Sequence, residues 1–557
     1  MKRTFKILKR FFGVLASIVI LFSIFYVWRV KIPAPKVDES VTVSHYKRLQ
    51  TGKDSFAVGN NWLRKNKFGI WEMYLEGDAY ERGLIYGVLA REHVQHQEKV
   101  FIDQVNVLVP NKFYQWFLKL FIVWFNRDID KYIPQDELKE IYGISKSFSD
   151  EYDYVGPKFY RLLYYHGAHD MGHALNDFNL VGCTSFAVNR EFSKDSTLLI
   201  GRNFDFYMGD SFAAQKLVIF EAPKNGYKFI SYGWAGFIGV VSGMNEKGLT
   251  VTINAAKSDV PFNAKEPISL LAREILEHSS NITEAIDLAK KRETFVSESL
   301  LIGSASDNKV VVIEKSPSKM DVYESATNYT VCANHYQGAT FMADSNNLKN
   351  IENSDSRFRF ERLNELLKRN FPIDESKAAN ILRDKLGVGD HFIGYGNPKA
   401  LNQMIGHHSV IFKPQQRLVW YSTQPYQLGE FVCYDLNKVF RHDTDVYQTV
   451  LNLPPDTFLS SADYPKYEYH KHCREAITRF VMLGIPMENT GFDVAHYIQS
   501  NPKSYITYMS LGNYFKKKNE FKKATEYYIQ ALQCEVASIN EINSINKNIV
   551  ECNKKGH

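Results

Sequence analysis

The sequence is short of cysteine for its length, with six (183, 332, 433, 473, 534 and 552) among 557 residues and no CxxC pair. That argues against a disulfide scaffold and against a zinc ribbon. It also leaves each thiol to be judged on its own reactivity. Charge of one sign is scarce too: the formal net charge is +6, and no basic block alternates with aromatics as a nucleic-acid surface would require. An apolar fraction of 45% against 23% charged residues excludes a disordered chain. Long apolar runs are few. The densely aromatic FYQWFLKLFIVWF at 113–125 is too short to span a bilayer and carries Lys119, so it reads first as a buried core helix. The alternatives are an interfacial helix lying on a membrane or a wall of an acyl-chain pocket.

One run is long enough. Phe11 to Trp28 is 18 residues without a charge, preceded by Lys2, Arg3, Lys6, Lys9 and Arg10, and followed closely only by Arg29, Lys31 and Lys36. The positive-inside bias puts the N-terminus in the cytoplasm and the body outside it. No small-x-small cleavage site follows, which favours an anchor over a cleaved signal peptide. The expected layout is a basic cytoplasmic stretch (1–10), a transmembrane anchor (11–28) in the cytoplasmic (inner) membrane, and a Pro-containing linker (29–59). A mostly helical segment (60–182), a mixed body (183–440), periplasmic in a diderm bacterium, and a helical C-terminal region (441–557) follow.

From residue 183 the texture changes to strand pairs joined by polar turns. CTSFAVNREFSKDSTLLIGRNFDF turns at Ser193–Ser196, KLVIFEAPKNGYKFISYGW at Pro223–Gly226, and GVVSGMNEKGLTVTINA at Asn245–Gly248. Helices are predicted at 267–279 and 282–291, the second opened by the capping box Asn281-Ile-Thr-Glu284. Strands near 298–304, 309–315 and 329–334, helices near 355–369 and 376–386, and a last hairpin complete an α+β pattern of sheets covered by helices. In the tail, Tyr508, Leu511, Gly512, Phe515, Ala524, Tyr528 and Ala531 fall at the spacing of one tetratricopeptide-like repeat, about 504–537. One repeat cannot bury its own face, so it must dock on neighbouring structure or take a protein partner.

Cys183 sits in NLVGCTSFAVNR. A lone cysteine on a strand is most often a small buried hydrophobe. Here it follows Gly182, whose carbonyl is open to attack, and GRNFDF puts Arg202 and Asp205 on the next strand, where hairpin pairing would bring them beside it. A guanidinium at that distance favours a thiolate. Gly182-Cys183-Thr184-Ser185 followed by Arg202-x-x-Asp205 resembles the N-terminal-nucleophile acyltransferases typified by isopenicillin-N acyltransferase, and more distantly the choloylglycine hydrolases. GMNEKGLTVTINA, ending at Asn254, VCANHYQG with Asn334, and SDSRFRFERL with Arg357 (Arg359 as the alternative) resemble later motifs of the family, and YERGLIYG (80–87) an element of its pro-segment. The likeness spans about residues 60–435.

The resemblance implies a four-layer αββα sandwich and self-cleavage at Gly182–Cys183, which would make 60–182 a pro-segment (the α-chain) and 183–440 the catalytic domain. The Cys183 thiol would attack the Gly182 carbonyl, and hydrolysis of the thioester would free an α-amine whose ordinary pKa, about 7.7–8.0, suits a general base. Cys183 would then be nucleophile and base at once. Arg202 would favour its thiolate and Asp205 would hold the amine. Asn254 and Asn334 would donate to an oxyanion, and Arg357 would brace the site. The substrate would be a small-molecule N-acyl amide, hydrolysed or used for acyl transfer, with no cofactor and no metal. Two rivals stand beside it: a Cys183–His335 hydrolase, and a degenerate enzyme serving as a membrane-tethered scaffold. His166, His169, Asp170 and His173 have spacings that could hold a metal but read more simply as structural, and His407-His408 as packing residues.

Overall fold

The computed structural model describes residues 2–167, 181–206, 209–259, 261–441, 443, 446–488 and 490–556. The first helix runs Lys2–Arg29, and its Arg10–Arg29 window has a mean hydropathy of 2.4 with none of it buried, so it is long and apolar enough to cross a membrane. Its end is held by the body. The Tyr26 hydroxyl donates to Leu120 O at 2.7 Å, the Tyr26 ring stacks on Trp124, and Arg29 forms an ion pair with Asp128 at 2.5 Å.

Two sheets form the centre. The larger has eleven strands in the order Leu49–Gly52, Ser55–Val58, Asn61–Lys65, Trp71–Gly77, Lys216–Pro223, Phe229–Trp234, Ser242–Asn245, Leu249–Ala255, Glu298–Ser304, Lys309–Lys315 and Met320–Tyr323. The smaller has six: Tyr329–Cys332, Val181–Arg190, Ser196–Phe206, His408–Lys413, Leu418–Ser422 and Phe431–Asp435. Among the described residues, all strand pairings within these two sheets are antiparallel except Trp71–Gly77 with Lys216–Pro223. The sheets face each other through one apolar cluster that includes Ile200, Val410 and Tyr421 from the smaller and Val218, Phe220 and Ile230 from the larger. Helices Ile268–His278 and Ile282–Lys291 pack with the larger sheet, as Leu271, Ile275 and Ala285 join Val251 and Ile302. Helices Ser356–Asn370 and Glu375–Leu382 pack with the smaller, through Leu363, Leu367 and Ala378 against Phe186 and Trp420.

From Ala79 to His166 the segment expected to be mostly helical is so, but the start of that segment and the linker expectation for 29–59 need correction. Four strands between Leu49 and Gly77 extend the large sheet. Leu49–Gly52 is exposed throughout and Trp71–Gly77 buries Glu72 to Leu75 without a break, so neither carries the period-two alternation that marks a strand in sequence. The aromatic helix Lys112–Phe125 is not a core helix either. Only Phe125 is buried, while Phe113, Trp116 and Phe117 are 74%, 55% and 53% exposed.

The YERGLIYG element has a packing explanation. It lies in helix Ala79–Leu89, which crosses Gln135–Ser145 so closely that a Cβ on Gly83 would overlap the Glu140 carbonyl. From the other side a Cβ on Gly143 would come 2.6 Å from Tyr80 O. Arg82, beside Gly83, reaches across to Glu140 and to Gly77 O. The tail helices Asp463–Leu483, Tyr505–Lys517, Phe521–Leu532 and Ile539–Lys555 share a core containing Leu511, Phe515, Ala524 and Tyr528. This core docks on the body where Asn397 donates to Glu535 O at 2.8 Å and Lys399 pairs with the Glu535 carboxylate. Gly143→Ala is expected to cost about 1–3 kcal/mol through overpacking of backbone against backbone. Thermal unfolding would show a clear fall in Tm, whereas Gly484→Ala, at an open helix end, should lose only what its left-handed φ of 70° demands.

Candidate functional site

Cys183 lies on Val181–Arg190 opposite Phe204, and Phe204 lies opposite His408 on the third strand. Directly opposed residues point to one face, so Cys183, Phe204 and His408 all look into the space between the sheets. Two residues along, Arg202 stands on the same face opposite Ser185. Its guanidinium is fully buried, donates to the Cys183 sulfur at 3.6 Å, and is fixed by Ser242 Oγ and Ile253 O, each at 2.5 Å. Ser242 Oγ in turn meets His408 Nε2 at 2.9 Å, and His408 Nδ1 meets His407 Nδ1 at 2.8 Å. The histidine pair therefore belongs to the network behind Arg202, a role the reading as packing residues missed. Burial drives both imidazoles well below their ordinary pKa, with Arg202 adding to it, so they act as neutral hydrogen-bonding groups.

The peptide group of Cys183 is held from the sheet edge. Its N–H donates to Asn334 Oδ1 at 2.9 Å, and its carbonyl accepts from Arg359 Nη1 at 2.6 Å. Arg359 also donates to Asn334 Oδ1 at 2.8 Å and Thr184 Oγ1 at 3.1 Å. Arg357, the first choice in the sequence, lies on the exposed side of the helix beside Glu361. The arginine at the site is Arg359. Asn254 is close by, but both hydrogens of its amide are committed, to Cys332 O at 3.1 Å and Ala333 O at 3.2 Å, while its oxygen accepts from Ser185. In the continuous chain it supports the site without a free donor.

Asp205 pairs with Gly182 on the opposite face of the strand pair from Cys183. Gln427 donates to its Oδ1 at 3.1 Å, and Oδ2 has no partner. Burial pushes this carboxyl up to about 7, against the pull of Gln427 and of Arg359 and Arg202. The Cys183 thiol is pushed up to about 11 by burial, which outweighs the opposing charge of Arg202. The sequence-based expectation that Arg202 would leave a thiolate is thus overridden by desolvation in the continuous chain. His335 does not reach the thiol: its Nδ1 bonds Ser356 Oγ at 2.8 Å, and burial lowers its pKa to about 4. A Cys183–His335 pair is absent. His166 has both ring nitrogens engaged, by Leu162 O and Ile238 N, while His169, Asp170 and His173 lie outside the described residues. Among the described residues no cluster of ligands suits a metal.

Residues 192–424 match the family described as acyl-coenzyme A:6-aminopenicillanic acid acyl-transferase. Through this region the chain is similar to that family of acyl-transferases. The matched residues begin after Cys183, so the assignment of the nucleophile stands on the geometry above. An uncharacterized protein of Archaeoglobus fulgidus is 26% identical over 274 residues, 46% of this chain and 45% of that relative. The chain thus spans less than half of that relative's length. The N-acylethanolamine-hydrolyzing acid amidase of Caenorhabditis elegans is 24% identical over 305 residues, 52% of this chain and 79% of the relative. Among solved structures, a Caenorhabditis elegans ortholog of that amidase is 20% identical with a TM-score of 0.31, covering 42% of this chain and 93% of its own. A mutant conjugated bile acid hydrolase from Clostridium perfringens is 16% identical with a TM-score of 0.32, covering 46% and 93%.

Two outcomes are expected if the chain cuts itself at Gly182–Cys183. Arg359→Ala should slow self-cleavage about 100-fold or more, whereas Arg357→Ala should leave it unchanged, as read on a denaturing gel. With the thiol near 11, the thiolate fraction grows about tenfold per pH unit below that value. The cutting rate of freshly made chain should therefore climb with pH from about 7 to about 9, and a flat profile would exclude thiolate attack.

Proposed function

We propose that this chain is a self-processing cysteine amidohydrolase or acyltransferase that acts on an N-acyl amide. The observation that carries this reading is the convergence of Arg202 on the Cys183 sulfur with Asn334 and Arg359 on its peptide N–H and carbonyl. Such a set serves a thiol that attacks the bond before it and then works with its own new amine. Self-cleavage at Gly182–Cys183 would leave fragments of 182 and 375 residues (557 − 182). The layering of helices on both sheets supports the αββα reading, and the buried positions Leu511, Phe515, Ala524 and Tyr528 support a tetratricopeptide-like pair in the tail.

The apolar Arg10–Arg29 helix supports a membrane anchor, N-terminus inside, with the body on the outer side. The exposed aromatic face of Lys112–Phe125, tied to the end of that helix through Tyr26 and Trp124, suits the boundary of the same bilayer. An amphiphilic substrate fits this placement, as does the similarity to an N-acylethanolamine amidase. A cavity of about 40 Å³ walled by Phe206, Phe212, Trp234, Phe237 and Leu162 begins two residues along the strand from Phe204, the neighbour of Cys183, and is apolar enough for the start of an acyl chain.

The test is direct. Full-length protein should run as two bands, with Cys183 at the new N-terminus by sequencing, while Cys183→Ala stays whole. The processed protein should then hydrolyse at least one of an N-acylethanolamine, an N-acyl amino acid, a conjugated bile acid or penicillin V. A single band indistinguishable from Cys183→Ala would favour a scaffold.

A further inference from the structure

We propose that the side-chain amide of Gln403 is the donor that holds the oxyanion on Gly182 while the chain cuts itself. This rests on the self-processing reading above and adds a residue to it. Gln403 is 3% exposed, and its Nε2 has no hydrogen-bond partner. That is costly for a buried amide unless the donor serves a state other than the resting one. It lies directly against the bond to be broken. A Cβ built on Gly182 would overlap Nε2 and come 2.9 Å from Cδ and 3.0 Å from Oε1. A side chain at 182 would therefore displace the Gln403 amide, which packs on one face of the Gly182 peptide.

The face matters. Cys183 and Gly182 are consecutive strand residues, so the thiol lies on the inner face of the sheet and Gln403 on the outer. Attack from the inner face turns the planar carbonyl carbon tetrahedral and drives its oxygen away from the sulfur, towards Gln403. In the resting chain the same oxygen lies in the plane of the sheet. The Cys183 N–H and carbonyl are committed to Asn334 and Arg359, and Phe204 O to the His407 N–H at 2.9 Å. By the alternation of an antiparallel pair, Gly182 and Asp205 then face each other with their N–H and carbonyl groups. The Asp205 N–H would polarise the carbonyl at rest, and Gln403 would add a bond as charge develops. A donor idle in the ground state and engaged in the transition state is what lowers a barrier.

The backbone holds Gln403 in place for this. The next residue, Met404, has φ +52°, a left-handed conformation unusual for a side chain of its kind. Its N–H is taken by Asn402 Oδ1 at 2.9 Å and its carbonyl by the Tyr467 hydroxyl at 3.4 Å. In the step itself the Sγ–C bond to Gly182 forms, the carbonyl pair moves to oxygen, and collapse breaks the C–N bond. The thiol proton ends on the departing nitrogen, now the α-amine of Cys183. Water then adds to the thioester, the C–S bond breaks, and Gly182 leaves as a carboxylate while the thiol regains a proton.

The experiment is a pulse–chase of full-length chain made by cell-free translation, comparing wild type with Gln403→Met, which fills the same space without a donor. Removing one oxyanion donor should slow cutting by about 10²–10³-fold. Thermal unfolding of Cys183→Ala with and without Gln403→Met should give the same Tm. Cutting of Gln403→Met at the wild-type rate would overturn the proposal. So would slow cutting accompanied by a lowered Tm, since the amide would then be structural. If wild type itself stays whole, the self-processing reading fails instead.

Discussion

The pairing of Trp71–Gly77 with Lys216–Pro223 is the constraint on which the rest of the molecule depends. It is the one parallel contact in the eleven-stranded sheet, and seven consecutive residue pairs run through it. Through this seam the four strands between Leu49 and Gly77 join the rest of the large sheet. A buried ionic cluster reinforces it: Arg273 lies between Glu140 at 2.8 Å and Glu221 at 2.6 Å, with Arg82 on Glu140. Arg82 and Glu140 precede the candidate cut, and Glu221 and Arg273 follow it. Taking one partner from such a buried network typically costs about 3–5 kcal/mol, because the rest stay buried and uncompensated. A chain severed at 182–183 would thus keep a continuous sheet, and the fragment beginning at Cys183 would stay attached to the one that carries the apolar Lys2–Arg29 helix.

The site uses the two faces of one strand for different purposes. Inside, where Cys183 meets Arg202, burial dominates and the thiol stays protonated. At the edge and outside, Asn334, Arg359, Asp205 and Gln403 surround the peptide that the thiol would attack. Desolvation that suppresses a thiolate also strengthens every hydrogen bond to a developing charge. The same packing that keeps the thiol protonated would therefore make the surrounding donors effective if the sulfur attacked Gly182.

Much of this was legible in the sequence because it is carried by order along the chain. The hairpin turns near 193–196, 223–226 and 245–248 and the N-cap at Asn281 appear where the pattern put them, although Glu284 takes the Ser280 N–H and so leaves the capping box half formed, and Arg202 faces Cys183 as hairpin pairing requires. Helix phase could have settled the arginine. Arg359, Arg362, Leu363 and Leu366 recur at helical spacing and form the buried face, whereas Arg357, two residues earlier, points about 200° away. His408 and Ser242 carried no such signal. They become neighbours of Arg202 only through cross-strand pairing and the packing of one sheet on the other, which no local pattern encodes. The thiol pKa was misjudged for a related reason: a nearby charge can be read from sequence, but depth of burial cannot.

The C-terminal region fits the same logic. The residues that close the outer side of the site come from two loops, around Gln403 and Gln427, and Tyr426 and Gln427 share with Met404 a positive φ. These loops touch the tail. Tyr467 donates to Met404 O, the Tyr426 hydroxyl donates to Glu468 at 2.8 Å and accepts from Lys471 at 3.0 Å, and Met404 and Leu428 share an apolar cluster with Phe458 and Tyr467. Strained backbone persists only where its surroundings over-determine it. Helix Asp463–Leu483 supplies those surroundings, and the repeat-like helices behind it are anchored in turn through Glu535. The tail is thus tied mechanically to the loops beside Gly182 and Asp205, through Met404 and Tyr426.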